Sequence, residues 1–331
     1  MKQPLHVIFG AGLIGGYLAG NFLSSGLRTA VVGRANKLAG FKRGLKITDF
    51  LGNTAHATEV PEYQTGEISA LYMTMKCTGV AASIPDLKNI IQTDTIIVCC
   101  QNGFGSDQVI RDAFPDNIVL SAVVGFNVAE KQAGHLHRST DGKFVIEHHP
   151  WLAKELEQID CAALPISSTK NILAERWAKL QLNLANPVNA LADVPVKTMT
   201  EDAGFRKIIA GLMQEMFLVT DELGIKLPKI TAVPAKALPR IMRLPNWLFL
   251  RIAQKMLAID PTARTSMWWD LDQNRTTEIA YINGTIVNEA ERLGLSCPLN
   301  TRLVKLIQLV ENGDAKIGQS AAELNRLLAH D

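Results

Sequence analysis

The feature that most constrains this chain is a glycine motif between a short apolar run and a helix-like segment. The motif reads Gly10-Ala11-Gly12-Leu13-Ile14-Gly15, after the strand-like run 6–9 and before a helical stretch that reaches residue 24. A first glycine permits a tight turn, a second lets the backbone approach a pyrophosphate, and a third lets helix and strand pack closely. Free amides at the start of the helix then bind the anion. The motif therefore predicts a dinucleotide-binding domain, with a glycine-rich turn that holds nothing as the alternative.

The first half of the chain continues this alternation of strands and helices. Apolar runs predict strands at 29–32, 71–75, 95–100 and 118–124, and helices are predicted at 13–24, 79–92 and 106–114. The pattern is typical of a doubly wound parallel sheet of the Rossmann type. Residues 134–149 predict a hairpin with a turn at 140–142, and a loop at 164–167 leads into helical periodicity. We expect an α/β domain over 1–168 and an all-helical domain over 169–331.

Composition and charge exclude several classes of protein. The 331 residues carry 34 Lys and Arg against 32 Asp and Glu, so a net charge of +2 gives no electrostatic reason to bind nucleic acid or an acidic membrane. The apolar stretch 244–259 is interrupted by polar residues and is too short to span a bilayer. Scattered cysteines without a CxxC pair, and a start without a signal peptide's apolar region, predict a cytosolic protein with no metal site.

The end of the second predicted strand indicates which dinucleotide is bound. An NAD site usually carries Asp or Glu there, which accepts hydrogen bonds from the ribose hydroxyls. Here the strand ends in Gly33-Arg34-Ala35-Asn36-Lys37, without an acid. The guanidinium of Arg34 can form a bidentate pair with a 2′-phosphate. This favours NADP(H), and a solvated surface arginine is the alternative.

Two more polar residues follow predicted strands. Lys76 comes after the strand at 71–75, and Asn102 lies in the Gln101-Asn102-Gly103 turn after the next strand. Ligands of open α/β sheets bind at the carboxyl ends of the strands, so both residues are candidates for cofactor contacts. A solvated loop lysine and ordinary Asn-Gly turn chemistry are the respective alternatives.

A polar face is predicted at the start of the second domain. Lys179, Asn183 and Asn186 are spaced at i, i+4 and i+7, so on one continuous helix they share a face. Asparagine is a poor helix former, and its recurrence favours the polar floor of a binding cleft. A solvated stripe is the alternative, because a lysine on a helix face usually extends into water.

A second helix with polar neighbours is predicted further along. Asp270 followed by Gln273 resembles a capping box, which predicts that a helix begins at Asp270 and leaves Ser266 in the preceding loop. Glu278 then lies about 12 Å along that helix from Asp270, at about 1.5 Å per residue. Groups that far apart cannot both bind one small carboxylate, but they can reach different parts of a substrate and a cofactor.

Taken together, these residues resemble the ketopantoate reductase family (2-dehydropantoate 2-reductases), part of the wider 6-phosphogluconate dehydrogenase-like group. The similarity extends over nearly the whole chain. It rests on the glycine motif, Lys76, Ser266 and the segments 101–103, 179–183, 277–284 and 297–303. The resemblance implies NADPH-dependent reduction of 2-dehydropantoate, a small 2-oxo acid, to pantoate in pantothenate and coenzyme A biosynthesis.

The resemblance also implies roles for individual residues. Lys179 is the proton donor of the implied reaction. Substrate contacts fall on Asn102, Lys179, Asn183 and Ser266, and NADP contacts on Lys76, Asn102 and Glu278.

Two departures from the family pattern bear on the substrate. The family places its second helix asparagine four residues after the first, whereas Asn186 follows Asn183 by three. The substrate role of the second asparagine is assigned to Asn186 across this one-residue gap. Residues 225–260 form a longer segment than in the family's typical form. Reduction of another branched 2-oxo acid or an imine therefore stays open, as does a non-catalytic NADP-binding sensor, against which Lys179 argues. An apolar helical second domain is compatible with a homodimer.

Overall fold

A computed structural model describes residues 3–159, 161–229, 233–253 and 260–329. The chain folds into two compact units, residues 1–176 and 177–331. The first unit is an α/β structure and the second is helical, which confirms the predicted fold class. The division falls inside a helix, after the boundary expected at residue 168.

The first unit contains two sheets. Its strands are β1 (His6–Phe9), β2 (Thr29–Val32), β3 (Leu45–Asp49), β4 (Thr54–Ala57), β5 (Ala70–Met73), β6 (Ile96–Cys99), β7 (Val119–Val124), β8 (Val128–Gln132), β9 (His135–Arg138), β10 (Phe144–Glu147) and β11 (Ile166–Thr169). The large sheet has the order β11-β10-β7-β6-β5-β1-β2, and the small sheet has the order β4-β3-β9-β8. In the large sheet β10 is antiparallel to β7, and the strands from β7 to β2 are parallel.

Helices cover both faces of the large sheet. The helices that begin in this unit are α1 (Leu13–Ser24), α2 (Ala35–Leu38), α3 (Val80–Ile90), α4 (Ser106–Ala113), α5 (Pro150–Leu156) and α6 (Ile172–Asn183), which runs on into the second unit. Alternate residues of β1 show the arrangement, since Val7 and Phe9 pack into one apolar cluster and Ile8 packs into another. A strand buried on both faces needs an almost continuous apolar run, which the sequence supplies.

The predicted hairpin over 134–149 is wrong. β9 belongs to the small sheet, where it pairs with β3 and β8, and β10 belongs to the large sheet, where it pairs with β7 and β11. A buried ion pair holds β9 to β3, with 2.7 Å between Arg138 Nη2 and Asp49 Oδ2. The predicted loop at 164–167 is also partly wrong, because β11 begins at Ile166 as an edge strand whose two serines hide the apolar pattern.

The second unit is built around one long helix. Its helices are α7 (Ala185–Ala192), α8 (Val196–Glu201), α9 (Ala203–Glu222), α10 (Leu238–Met242), α11 (Asn246–Ile252), α12 (Ser266–Asp272), α13 (Asn283–Arg292), α14 (Pro298–Glu311) and α15 (Ala321–Ala329). α9 is the longest of these, and α10, α13, α14 and α15 all pack against it. Among the described residues, no helix is both long enough and apolar enough to cross a membrane.

One buried arginine holds part of the segment 225–260, which is expected to be longer than in the family. Arg206 of α9 is fully buried and donates to the carbonyl oxygens of Met242 and Leu244 and to Asn246 Oδ1. Its guanidinium also lies 4.0 Å from the centre of the Phe249 ring. α10 and α11 are therefore fixed on α9. Residues 230–232 and 254–259 of this segment lie outside the described residues. The apolar stretch 244–259 is therefore described only as far as residue 253.

Candidate active site

The glycine motif forms the turn between β1 and α1. Gly10 has a φ of +123°, and a Cβ there would lie 2.9 Å from the Met75 nitrogen. A Cβ at Gly15 would collide with the Gly10 carbonyl oxygen, whereas one at Gly12 would have nothing within 4 Å. Two glycines are thus required by the protein itself, and the third borders open space. Gly12 also precedes α1 without any side chain capping the helix amides, which suits the approach of a pyrophosphate.

The other three positions of the motif differ in burial. Ala11 is buried, Ile14 packs on the apolar core, and Leu13 is 43% exposed. A Cβ at Gly33 would overlap the Ala11 side chain, so the end of β2 lies directly against the glycine turn. This contact brings the start of α2 to the same edge of the sheet.

Arg34 occupies the position immediately before α2. Its side chain is exposed, and Lys37 one turn later is exposed as well. Among the described residues the Arg34 side chain makes no hydrogen bond and no ion pair. A cation that the fold leaves available beside the glycine turn is suitably placed to bind a 2′-phosphate.

Hydrogen bonds join the ends of β1, β5 and β6. Thr74 Oγ1 donates to the Gly10 carbonyl oxygen at 2.9 Å, and Gln101 Nε2 donates to the Met73 carbonyl oxygen at 3.0 Å. The Cys77 thiol donates to the Asn102 carbonyl oxygen at 3.0 Å. The loops that carry Lys76 and Asn102 therefore adjoin the glycine turn, as the rule of strand carboxyl ends predicts.

The 101–105 loop is held by a residue that the sequence analysis missed. The Arg176 guanidinium forms a bidentate pair with Asp107 at 2.8 and 2.9 Å, donates to the Gly103 carbonyl oxygen at 3.0 Å and stacks 4.2 Å from the Phe104 ring. Desolvation raises the pKa of Asp107, but hydrogen bonds and charge from Arg176 outweigh it and leave the pKa below its usual value. No local pattern signals this pair, because 69 residues separate its members.

Lys179 and Asn183 lie one turn apart on α6. Burial lowers the pKa of the half-buried Lys179 ammonium to about 8. Among the described residues no acceptor lies within hydrogen-bonding distance of its Nζ. Asn183 is only 8% exposed, and its Nδ2 is buried without a hydrogen-bond partner in the described structure. A buried amide donor without a protein partner is costly unless water or a ligand accepts from it, so Asn183 is a candidate for a ligand contact.

The prediction of one continuous helix through Asn186 is wrong. α6 ends at Asn183, and α7 begins at Ala185. Pro187 has no N–H, and its ring would clash with the carbonyl group four residues earlier, at Asn183. Asn186 therefore lies on a second helix, so its i+7 spacing from Lys179 does not place the two residues on one face. Its side chain is half-buried.

The start predicted for the next helix is also wrong. α12 begins at Ser266, where the Thr265 hydroxyl accepts from the Trp268 amide at 3.4 Å. Asp270 lies near the end of this helix, is buried, and forms an ion pair with Arg275 at 3.1 Å. Asp270 thus pairs with Arg275, five residues later, rather than capping the helix.

α12 is also too short to carry Glu278. The helix ends at Asp272, and Asn274 has a φ of +48°. Glu278 is buried and immediately precedes a 3₁₀ turn at Ile279–Tyr281. The expected 12 Å separation along one helix therefore does not apply.

The candidate residues form one group in each unit. The glycine motif, Arg34, Lys76 and Asn102 share the carboxyl edge of the large sheet in the first unit. In the second unit α7 packs on α12, and Thr265 Oγ1 lies 3.4 Å from the Asn186 carbonyl oxygen. Ser266 is thus next to the segment that follows Lys179 and Asn183. Among the described residues, no three His, Cys, Asp or Glu side chains are grouped as a metal site would need.

Comparison with family models and known proteins gives a consistent result. The model for ketopantoate reductase PanE/ApbA matches residues 6–151, and the model for its C-terminal domain matches residues 171–311. The chain is 24% identical over 315 residues to the 2-dehydropantoate 2-reductase of Archaeoglobus fulgidus, which covers 92% of this chain and 97% of that protein. It is also 24% identical over 320 residues to that of Pyrococcus horikoshii, with the same coverage.

Solved structures show the same fold. A PanE/ApbA family ketopantoate reductase from Ralstonia eutropha has a TM-score of 0.77 at 23% identity and covers 94% of this chain and 99% of that one. A D-mandelate dehydrogenase solved with NADH and anilino(oxo)acetate has a TM-score of 0.73 at 20% identity and covers 93% of this chain and 99% of that one. Because family models match both units over most of their length, the chain belongs to the ketopantoate reductase family.

Proposed function

We propose that this protein reduces 2-dehydropantoate to pantoate with NADPH. The observation that carries the proposal is the pair on α6, an ammonium with a pKa of about 8 one turn before a buried amide donor without a partner. The relatives that match almost the full chain are 2-dehydropantoate 2-reductases, which supports the same reaction. In this proposal the cofactor lies along the glycine motif, with Arg34, Lys76, Asn102 and Glu278 as further contacts.

The proposed chemistry follows from the side chains. Bound NADPH supplies the hydride that reduces the substrate carbonyl carbon. The Lys179 ammonium stabilises negative charge on the carbonyl oxygen and then donates the proton that completes the alcohol. Asn183 donates a hydrogen bond to the substrate through Nδ2, and Ser266 binds it through its hydroxyl group, with Asn186 as a third contact and Asn102 between substrate and cofactor. A homodimer is part of the proposal, since a similar Staphylococcus aureus ketopantoate reductase is described as dimeric.

The substrate is tested by NADPH oxidation with a panel of 2-oxo acids. We expect the highest kcat/KM with 2-dehydropantoate. A higher value with an aryl or another branched 2-oxo acid would favour the second candidate, a reductase of that acid, which the likeness to D-mandelate dehydrogenase supports at the level of fold. Tight NADPH binding without turnover of any panel member would favour a sensor and contradict the proposed reaction.

The preference for NADPH is expected to depend on Arg34. Because charge-assisted hydrogen bonds to the 2′-phosphate are lost, Arg34→Ala should raise the KM for NADPH by about tenfold or more. The KM for NADH should change by less than about twofold, since NADH lacks that phosphate. Lys37→Ala, in the same exposed turn, is the matched control. Equal effects of Arg34→Ala on both cofactors would show that Arg34 does not recognise the phosphate.

The rate of reduction is expected to fall as the pH rises through about 8. Burial has lowered the pKa of Lys179 to that value, so the ammonium predominates at neutral pH and is lost above pH 8. Without its proton the side chain neither stabilises the oxyanion nor protonates it, so kcat/KM should decline about tenfold per pH unit. A profile measured from about pH 6 to about pH 10 tests this. A rate that stays constant past pH 9 would contradict the assignment.

A further inference from the structure

Asp193 has an unusual backbone conformation immediately after α7. Its φ of +51° and ψ of +36° lie in the left-handed region, which residues other than glycine seldom occupy. That conformation is unfavourable for most residues with a Cβ, although Asp tolerates it better and helices often end in it. It persists where surrounding contacts support it. The contacts of the Asp193 side chain therefore matter.

The Asp193 carboxylate binds the two ends of one short segment, residues 264–268, which includes the first three residues of α12 and is called the Ser266 loop below. Its Oδ1 accepts a hydrogen bond from Trp268 Nε1 at 2.7 Å and another from Arg264 Nη1 at 2.9 Å. The Arg264 guanidinium also stacks 4.4 Å from the Trp268 ring. Arg264 and Trp268 stand on either side of Ser266, two residues away in each direction. One carboxylate thus spans the Ser266 loop, which presents the Ser266 hydroxyl.

Asn189, one helical turn before Asp193, binds the middle of the Ser266 loop. Its Oδ1 accepts from both the backbone amide and the hydroxyl of Thr265, each at 3.1 Å. Its Nδ2 donates to the Val194 carbonyl oxygen at 2.7 Å, which fixes the orientation of the amide. Ser266 itself is exposed, and among the described residues its hydroxyl makes no hydrogen bond. The Ser266 loop is held firmly while its functional group stays available.

We propose that Asp193 and Asn189 are positioning residues that hold the Ser266 hydroxyl in place for the substrate. This rests on the proposed function, in which Ser266 binds the 2-oxo acid. Neither residue contacts the substrate; each acts through the Ser266 loop. The strain at Asp193 is retained because the left-handed turn directs its carboxylate at Arg264 and Trp268 together.

Asp193→Gly separates this role from a purely structural one. Glycine adopts the left-handed conformation without cost, so the melting temperature should stay the same or rise, although both hydrogen bonds are lost. We expect the KM for 2-dehydropantoate to rise about tenfold, with a Kd for NADPH within about twofold of wild type. Asp193→Asn keeps an oxygen acceptor and tolerates the left-handed region, so it should restore KM to within about threefold. Asn274→Gly relieves the same kind of strain away from the Ser266 loop and is the matched control.

A double-mutant cycle with Ser266→Ala shows whether Asp193 acts through Ser266. If it does, Asp193→Gly should have no further effect on KM once the hydroxyl is absent. The proposal would be overturned if the two fold-changes in KM multiplied in the double variant, or if Asp193→Gly alone left KM unchanged. Neither result would contradict the proposed reduction of 2-dehydropantoate.

Hydrogen exchange gives a readout that does not depend on turnover. Protection of the Thr265 and Trp268 amides should fall in Asp193→Gly and Asn189→Ala but not in Asn274→Gly. If protection falls in both variants but the wild-type protein reduces no 2-oxo acid, the proposed function is contradicted. The positioning of the Ser266 loop is still supported in that case. Unchanged protection in both variants would overturn the positioning role.

Discussion

Lys179→Ala is expected to lower the turnover number by about 10²–10⁴, the range over which a positioned general acid contributes. The ammonium has two tasks in the proposed reaction, because it stabilises charge on the carbonyl oxygen and supplies the proton. Alanine removes both. The KM for the 2-oxo acid should also rise, since the same group binds the ground-state carbonyl.

NADPH binding distinguishes a catalytic lysine from a structural one. The cofactor contacts proposed here lie in the first unit, apart from Glu278, so the Kd for NADPH should change by less than about threefold in Lys179→Ala. Lys207→Ala, an exposed lysine on α9, is the matched control and should turn over like wild type. A turnover number for Lys179→Ala within a few-fold of wild type would show that the lysine is not the acid.

Arg138→Met is expected to lower the free energy of unfolding of the first unit by about 3–5 kcal/mol, as for other buried pairs that lose one partner. Arg138 is fully buried, and Asp49 is 4% exposed. Removing the guanidinium leaves the carboxylate buried beside its remaining donors, the Leu51 and Asn53 amides. The β3–β9 pairing, on which the small sheet depends, should open first.

Urea unfolding and exchange at β3 and β9 amides measure this effect. Lys46→Met, an exposed position on the same strand, is the control and should change stability by less than about 0.5 kcal/mol. Adding Asp49→Asn to Arg138→Met should recover part of the loss, because no charge then stays buried without its partner. A loss below about 1 kcal/mol in Arg138→Met would contradict the account of the small sheet.

Elements set by local physics could be predicted from the sequence. The bounds of β1, α1 and β2 agree with the predicted ranges, because an apolar run, a glycine turn and an apolar helix leave few alternatives. Elements set by distant partners could not. β9 pairs with β3, which is 89 residues earlier at the Arg138–Asp49 pair, whereas the sequence pattern favours pairing with the nearer β10.

The candidate site divides in the same way. The glycine motif, Arg34 and the Lys179–Asn183 spacing are local patterns whose chemistry can be stated from residue type alone. Arg176 and Asp193 could not be found, since each acts on a loop residue that lies 73 or 75 residues away in the sequence. The start of α12 could not be predicted, because Thr265 and Asp270 are both acceptable caps and residue type alone does not choose between them.

The reaction itself is tested most directly by product stoichiometry. Purified protein is supplied with NADPH and 2-dehydropantoate, and both NADPH loss and pantoate formation are followed in wild type and Lys179→Ala. The account predicts one pantoate formed per NADPH oxidised in the wild-type protein, at a rate about 10²–10⁴ times that of the variant. NADPH that is bound but not oxidised, or oxidised without pantoate, would contradict it.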